Sequence, residues 1–297
     1  MMRLGNSDLR VGPVAYGCWR FTQSTTAQAD RKIRTAIDNG LTLIDTADIY
    51  GIGEVSPGGH DGFGAAEAVL GDVLAGSPDL RAQMVLATKG GIDAVRPYDS
   101  TYDYLTAAID ASLTRLQTDY VDLYQIHRPD LTTPMAETAR ALNDMVQAGK
   151  VRYVGVSNFT PAQTRALSAH LDAPLMTTQP EFSAMHQDPI TDGTLDLCME
   201  MGMSALAWSP LAGGALATGK GANVDVITVI DRIAARENTD RSTVALAFTM
   251  GHGADVIPII GTQNLDRIKQ AAKASTMPLS ARDWYDIVEA YRGEGMP

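Results

Sequence analysis

Residues 43–51 read Leu-Ile-Asp-Thr-Ala-Asp-Ile-Tyr-Gly, so Asp45, Asp48 and Tyr50 fall directly after two residues suited to a core. An unpaired buried carboxylate is costly, and acidic groups at the end of a buried strand therefore call for partners from elsewhere in the chain. Lys89 and His127 occupy corresponding places, each after a short apolar run, Met-Val-Leu-Ala-Thr and Val-Asp-Leu-Tyr-Gln-Ile. A carboxylate, a phenol, an ammonium and an imidazole are groups of general acid–base chemistry. Taken singly, each has an ordinary explanation. Asp45 alone reads as a turn cap, Tyr50 as a rim aromatic with its hydroxyl in water, Lys89 as a solvated charge and His127 as a hydrogen-bonded core residue. None of the five histidines has metal-ligand spacing, which argues against a metal site.

What could bring these groups together is an alternation of short apolar runs with longer amphipathic stretches. The runs predict strands at 14–17, 42–44, 84–88, 121–126, 151–157, 175–178, 204–207 and 256–260. Helical stretches lie between them, at 25–40, 101–117, 133–150 and 160–170. Thr160 before Pro161 reads as an N-cap and first helical residue, and Gly40 and Gly149 read as stops. Ahead of all this, Met-Arg-Leu, a Gly-Asn-Ser-Asp turn and Leu-Arg-Val predict a small hairpin.

Eight strands alternating with helices imply a parallel sheet, either doubly wound or closed into a barrel. The dinucleotide fingerprint of the doubly wound fold is missing: Gly-Ile-Gly-Glu-Val-Ser at 51–56 ends in Ser and follows a loop. No phosphate loop, no Gly-x-Ser-x-Gly elbow and no Ser/Pro-rich linker occurs. The expectation is an α/β chain forming one (β/α)8 barrel domain over residues 1–297, with an N-terminal β-hairpin. In such a barrel the carboxyl ends of all strands converge on one face. Asp45, Lys89, His127, Ser157 with Asn158, Gln179, Trp208 with Ser209, and Gly261 with Thr262 then end strands two to eight and meet in one mouth.

Composition narrows the partners. With 297 residues and 45% hydrophobic content the chain can bury a sizeable core. A net charge of −11 argues against nucleic acid, so an anionic ligand would need a local basic or helix-terminal site. Two unpaired-looking cysteines suit a reducing compartment. No signal-like stretch and no apolar run of membrane length is present, and the expectation is a cytoplasmic protein without a membrane partner.

Asp-Thr-Ala-Asp-Ile-Tyr-Gly, Ala-Thr-Lys-Gly-Gly, Leu-Tyr-Gln-Ile-His-Arg-Pro-Asp, Val-Arg-Tyr-Val-Gly-Val-Ser-Asn-Phe, Trp-Ser-Pro-Leu-Ala-Gly-Gly and Ile-Pro-Ile-Ile-Gly-Thr-Gln-Asn-Leu-Asp-Arg-Ile occur in this order. Together they resemble the aldo-keto reductase superfamily, from the hairpin to about Arg267. The resemblance implies a catalytic tetrad of Asp45, Tyr50, Lys89 and His127. Tyr50 would protonate a carbonyl oxygen as hydride arrives, Lys89 would lower the phenol's pKa, Asp45 would hold Lys89, and His127 would orient the substrate. It also implies a cofactor site. Trp208 would stack on nicotinamide, and Ser157, Asn158 and Gln179 would bond its carboxamide. Ser209, Leu211 and Gly213 would close over the pyrophosphate, with Gly213 and Gly214 allowing close backbone approach.

One departure concerns the adenosine end. Where many members carry a Lys-Ser pair for the 2′-phosphate, this chain has Gly261 and Thr262, with Arg267 at the adenine-side position. The cofactor expected is NADPH/NADP+, with a modest margin over NADH. Trp19 and Tyr98 are candidate substrate residues, the substrate being a small carbonyl compound and the protein a monomer. Variable loops at 19–21, 52–63 and 92–104, together with the tail, would set specificity. The rivals are a nicotinamide-sensing regulatory protein of the same fold, and a barrel isomerase or hydrolase that uses Asp45 and His127 without a nucleotide.

Overall fold

The computed structural model describes residues 1–53 and 59–297. Part of the Gly-Ile-Gly-Glu-Val-Ser segment, and of the expected specificity loop at 52–63, therefore lies outside the described residues. The chain opens with an antiparallel hairpin, β1 (Met2–Arg3) and β2 (Arg10–Val11), in which Met2 pairs with Val11. Eight parallel strands follow: β3 (Ala15–Gly17), β4 (Leu43–Asp45), β5 (Val85–Gly90), β6 (Val121–Ile126), β7 (Val151–Ser157), β8 (Thr177–Gln179), β9 (Ser204–Ala207) and β10 (Val256–Ile260). They close into a barrel because β10 pairs with both β9 and β3.

Helices cover the outside. The first five crossovers carry α1 (Thr26–Asp38), α2 (Ala65–Gly76), α3 (Tyr102–Leu116), α4 (Met135–Gln147) and α5 (Pro161–Ser168). The short α6 (Asp188–Thr191) and α7 (Thr194–Met201) follow β8, and α8 (Ala215–Thr218), α9 (Val224–Arg236) and α10 (Arg241–Met250) follow β9. The chain then adds α11 (Leu265–Ala271) and α12 (Ala281–Arg292) after β10. Thr160 caps α5 reciprocally with Gln163, as Thr25 caps α1 with Gln28, so backbone donors at both starts are satisfied.

The period of two along each strand divides the core. Ala15, Leu43, Val85, Ala87, Leu123 and Leu206 face inward and pack with hairpin residues Leu4, Leu9 and Val11. Their neighbours Tyr16, Ile44, Leu86, Tyr124, Val154 and Ala205 belong instead to the layer shared with the helices. The same alternation places Asp45 two residues after Leu43, and Lys89 two after Ala87, on the inward face at the carboxyl ends. Position in the pleat, not an exceptional turn, aims both side chains inward.

Strand bounds match the expected ones closely but run further at three ends. Asp45, Lys89 and Gln179 belong to β4, β5 and β8, with Lys89 in register with Gln125 and Gln179 in register with Ser157. Hydrophobicity stops at the last apolar residue, whereas the backbone ladder continues for as long as inward polar side chains find partners across the barrel.

Candidate active site

Lys89 stands at the centre of the mouth and is fully buried. Its Nζ donates to Asp45 Oδ2 at 2.7 Å, to the Thr46 carbonyl at 2.7 Å and to the Tyr50 hydroxyl at 3.3 Å. Asp45 Oδ1 accepts from Gln179 Nε2 at 3.0 Å, so both carboxylate oxygens of this buried acid are bonded. The partners that Asp45 requires are therefore Lys89 and Gln179. The Tyr50 ring meets His127 edge-on, with centroids 5.8 Å apart. Four strands or strand-end loops thus converge on one cluster.

Electrostatics here differ from the expectation in one respect. The Tyr50 phenol is held above its ordinary pKa, because burial outweighs the nearby Lys89 charge and Asp45 adds to the rise. Lys89 sits closer to Asp45 than to the phenol, so its positive charge is offset before it reaches Tyr50. Lys89 itself is held charged: Asp45 and Tyr50 together outweigh the cost of burial. His127 is pushed well below its usual value by burial, then by Lys89 and Arg128, and so is neutral near pH 7. Its Nδ1 is buried without a hydrogen bond among the described residues, which leaves Nε2 as the ring nitrogen available to a ligand.

A cleft of about 1210 Å³ begins at Tyr50 and His127 and extends past Trp208 to Arg267 and Gln270. The structure brings Ser157, Asn158, Gln179, Trp208, Ser209 and Leu211 into its wall. Gly213, Gly261 and Thr262 also line it. Several of these polar groups already bond one another. Trp208 Nε1 donates to Asn158 Oδ1 at 3.0 Å, Asn158 Nδ2 donates to the His127 carbonyl at 3.2 Å and to Ser157 Oγ, and Ser157 Oγ donates to the Gln179 carbonyl. The indole is thereby fixed to the end of β7 rather than left to rotate.

Backbone conformation by itself already calls for the two glycines of the 209–214 loop. A Cβ added to Gly213 or Gly214 meets nothing within 4 Å, but their φ values are 66° and 103°. Backbone conformation selects glycine there. Trp19 lines the cleft and is 57% exposed, its ring 6.4 Å from that of Tyr50. Tyr98 does not line it and is 38% exposed. The neighbouring tyrosines have other partners, since Tyr102 donates to Asp144 of α4 and Tyr104 to the Ile92 carbonyl in the loop after β5. That segment serves the start of α3.

Sequence reasoning named neither Arg128 nor Lys220, and reached Arg20 only as part of the loop at 19–21; all three line the cleft. With Arg267 they make four cationic side chains, and none forms an ion pair with another described residue. In a chain of net charge −11 this is the local basic site that an anionic ligand demands. Long cleft, fixed indole and unpaired cations together fit a nicotinamide dinucleotide. The only sequence signal for Arg128 was its place directly after His127. The tail does not cover the mouth: α12 packs its Trp284 against Phe248 at 5.3 Å, and no residue of 281–292 lines the cleft.

Comparison with known proteins agrees with this geometry. A profile of the Aldo/keto reductase family matches residues 13–292. A 6-dehydroglucose reductase of Novosphingobium aromaticivorans is 45% identical, over 99% of this chain and 96% of its own length. A second protein of that name from Agrobacterium fabrum is 36% identical, over 97% of both. The thermostable aldo-keto reductase Tm1743, solved with the inhibitor epalrestat, superposes with a TM-score of 0.82 at 25% identity, covering 97% of this chain and 98% of that one. A closed parallel barrel with a polar cluster at its carboxyl end, matched by that profile over nearly its whole length, belongs to the aldo/keto reductase family, whose oxidoreductases act on carbonyl groups with a nicotinamide cofactor.

Proposed function

We propose that this chain reduces an aldehyde to an alcohol with NADPH, with Tyr50 as the proton donor. The observation that carries the reading is the buried Asp45–Lys89 pair with the Tyr50 hydroxyl 3.3 Å from Nζ, at one end of a cleft long enough for a dinucleotide. When bound, the reduced nicotinamide supplies the hydride. Tyr50 gives its proton to the substrate oxygen as the alcohol forms, and the Lys89 ammonium stabilises the phenolate left behind. Asp45 keeps Lys89 charged and aimed. Neutral His127 offers Nε2 to the same oxygen and orients it. Trp208, Ser157, Asn158 and Gln179 would hold the nicotinamide end, and Ser209, Leu211 and Gly213 the pyrophosphate. Gly261, Thr262 and Arg267 would face the adenosine side and favour NADPH over NADH by a modest margin.

The substrate we propose is a polyhydroxylated aldehyde, of the kind named in the two reductase relatives. Trp19 supports this, since an exposed indole beside the proton donor offers a flat apolar surface to the C–H face of a sugar. Arg20 and Arg128 can donate to hydroxyls around it. The test follows NADPH consumption with 6-dehydroglucose and with simple aldehydes lacking hydroxyls, for the native protein and for Tyr50→Phe. The sugar aldehyde should give the higher kcat/KM. Tyr50→Phe should lose at least about a hundredfold in rate while still binding NADP+. Retention of more than about a tenth of native activity would rule out Tyr50 as the donor.

A further inference from the structure

Helix α1 buries a stripe of Ala29, Lys32, Ile33 and Ala36 against the barrel. Three of these suit the position; a lysine does not. Lys32 is 8% exposed, and its Nζ donates to Ser24 Oγ at 2.6 Å and to Gln263 Oε1 at 2.7 Å. Both partners are neutral, and no described carboxylate forms an ion pair with it. The other groups packed close to it, the Cys18 thiol and the Arg31 guanidinium, bring no negative charge, since the thiol is buried and its pKa raised. A buried ammonium without a counterion is disfavoured unless something offsets it.

Lys32 lies directly behind the wall of the cleft. Gln263 lines the cleft and donates Nε2 to the Gly261 carbonyl at 3.3 Å, while the Tyr16 hydroxyl donates to the Thr262 carbonyl at 3.1 Å. Thr262 and Gln263 are therefore held by Tyr16 and Lys32, and Gly261 by Gln263 itself. On the cleft surface the other cation of this corner is Arg267. One turn along α11 from it, Gln270 bonds Asp240, a carboxylate that also lines the cleft and reduces the positive potential there. No such acid stands beside Lys32.

We propose that Lys32 sets the preference for a phosphorylated adenosine ribose, by placing an uncompensated positive charge behind Gln263. The inference rests on the cofactor reading above and deepens it. A pyrophosphate is common to NAD+ and NADP+, so only the ribose phosphate can make the two respond differently. Lys32 acts through the cleft wall and touches no reacting atom, which makes it a specificity residue.

The test measures dissociation constants of NADP+ and NAD+ by quenching of tryptophan fluorescence, for the native protein, Lys32→Gln and Lys32→Met. Gln keeps a donor for Gln263 and Ser24 but removes the charge, and it carries the test if the Met variant fails to fold. Loss of the charge should weaken NADP+ by about tenfold in either variant and NAD+ by less than about twofold. Adenosine 2′,5′-bisphosphate against AMP, as displacing probes, should show the same contrast. An unchanged NADP+/NAD+ ratio in Lys32→Gln, or equal weakening of both dinucleotides, would overturn the inference. Native protein that binds both dinucleotides but shows no Lys32 effect leaves the cofactor reading standing. Native protein that binds neither removes the cofactor reading and the inference with it.

Discussion

At the scale of the residue, what the sequence made legible was membership of the cluster. Asp45, Lys89, His127 and Tyr50 are recognisable from motif and strand-end position, and they do meet. What it left illegible was how charge is shared among them. That an ammonium lies near a phenol can be inferred from motifs, but that the same ammonium is closer to a carboxylate, and that the phenol is half-buried, are facts of three-dimensional distance. The consequence is measurable. A phenol with a raised pKa stays protonated, and so competent as a donor, at least up to its ordinary value of about 10. His127, pushed down, adds no titration near neutrality. The kcat/KM for reduction should therefore be level from about pH 6 to about pH 9 and fall only on the alkaline side. An alkaline limb near pH 8 would mean that Lys89 dominates the phenol after all.

At the scale of the element, the short apolar runs and the helical stretches between them were strong enough to place all eight barrel strands, and four of them, β6, β7, β9 and β10, have the expected bounds. The misses arise where polar residues end a strand inside the barrel, since no hydrophobic scale marks them. Loop conformation was less legible still. Between Ser209 and Gly214, positive φ occurs at Ser209 (51°), Ala212 (47°), Gly213 (66°) and Gly214 (103°). Two of these carry side chains in a region that L-residues enter at a cost. Gly214 is the most extreme, and Ala there would be strained by roughly 1–2 kcal/mol even though space is free. Because this loop lines the cleft, the strain should appear in ligand affinity as well as in folding. Gly214→Ala is expected to weaken NADP+ binding by about tenfold or more. Thermal denaturation should move only modestly, and native affinity in the variant would show that the loop does not hold the cofactor.

At the scale of the whole molecule, the barrel and its helical layer share a second polar cluster that no catalytic motif explains. Glu67 of α2 is fully buried between Thr88 of β5, which donates to it at 2.5 Å, and Arg115 of α3, at 2.7 Å. Asp48, 1% exposed, stands beside this pair with both carboxyl oxygens lacking a hydrogen-bond partner among the described residues. The Tyr124 hydroxyl is likewise unpartnered, and a Cβ at Gly90 would lie 2.0 Å from it, so glycine is needed there for packing. Burial, then repulsion from Glu67, hold the Asp48 carboxyl well above its usual range, and Arg115 only partly opposes them. The residue types around Tyr50 did not separate Asp48 from Asp45, and only the family resemblance singled out Asp45. The pleat supplies the physical reason, since Asp45 ends β4 on its inward face and Asp48 lies in the loop beyond. With its pKa raised on folding, the folded chain holds this proton more tightly than the unfolded one. The stability that the proton contributes is complete below about pH 4 and is lost as pH rises through the folded-state value. Asp48→Asn removes that dependence. The variant should therefore be more stable than the native protein at pH 8, with a smaller gain at pH 5. Urea denaturation at the two pH values checks this. An equal difference at both, or a loss at pH 8, would show that Asp48 is paired in solution and ionises without penalty.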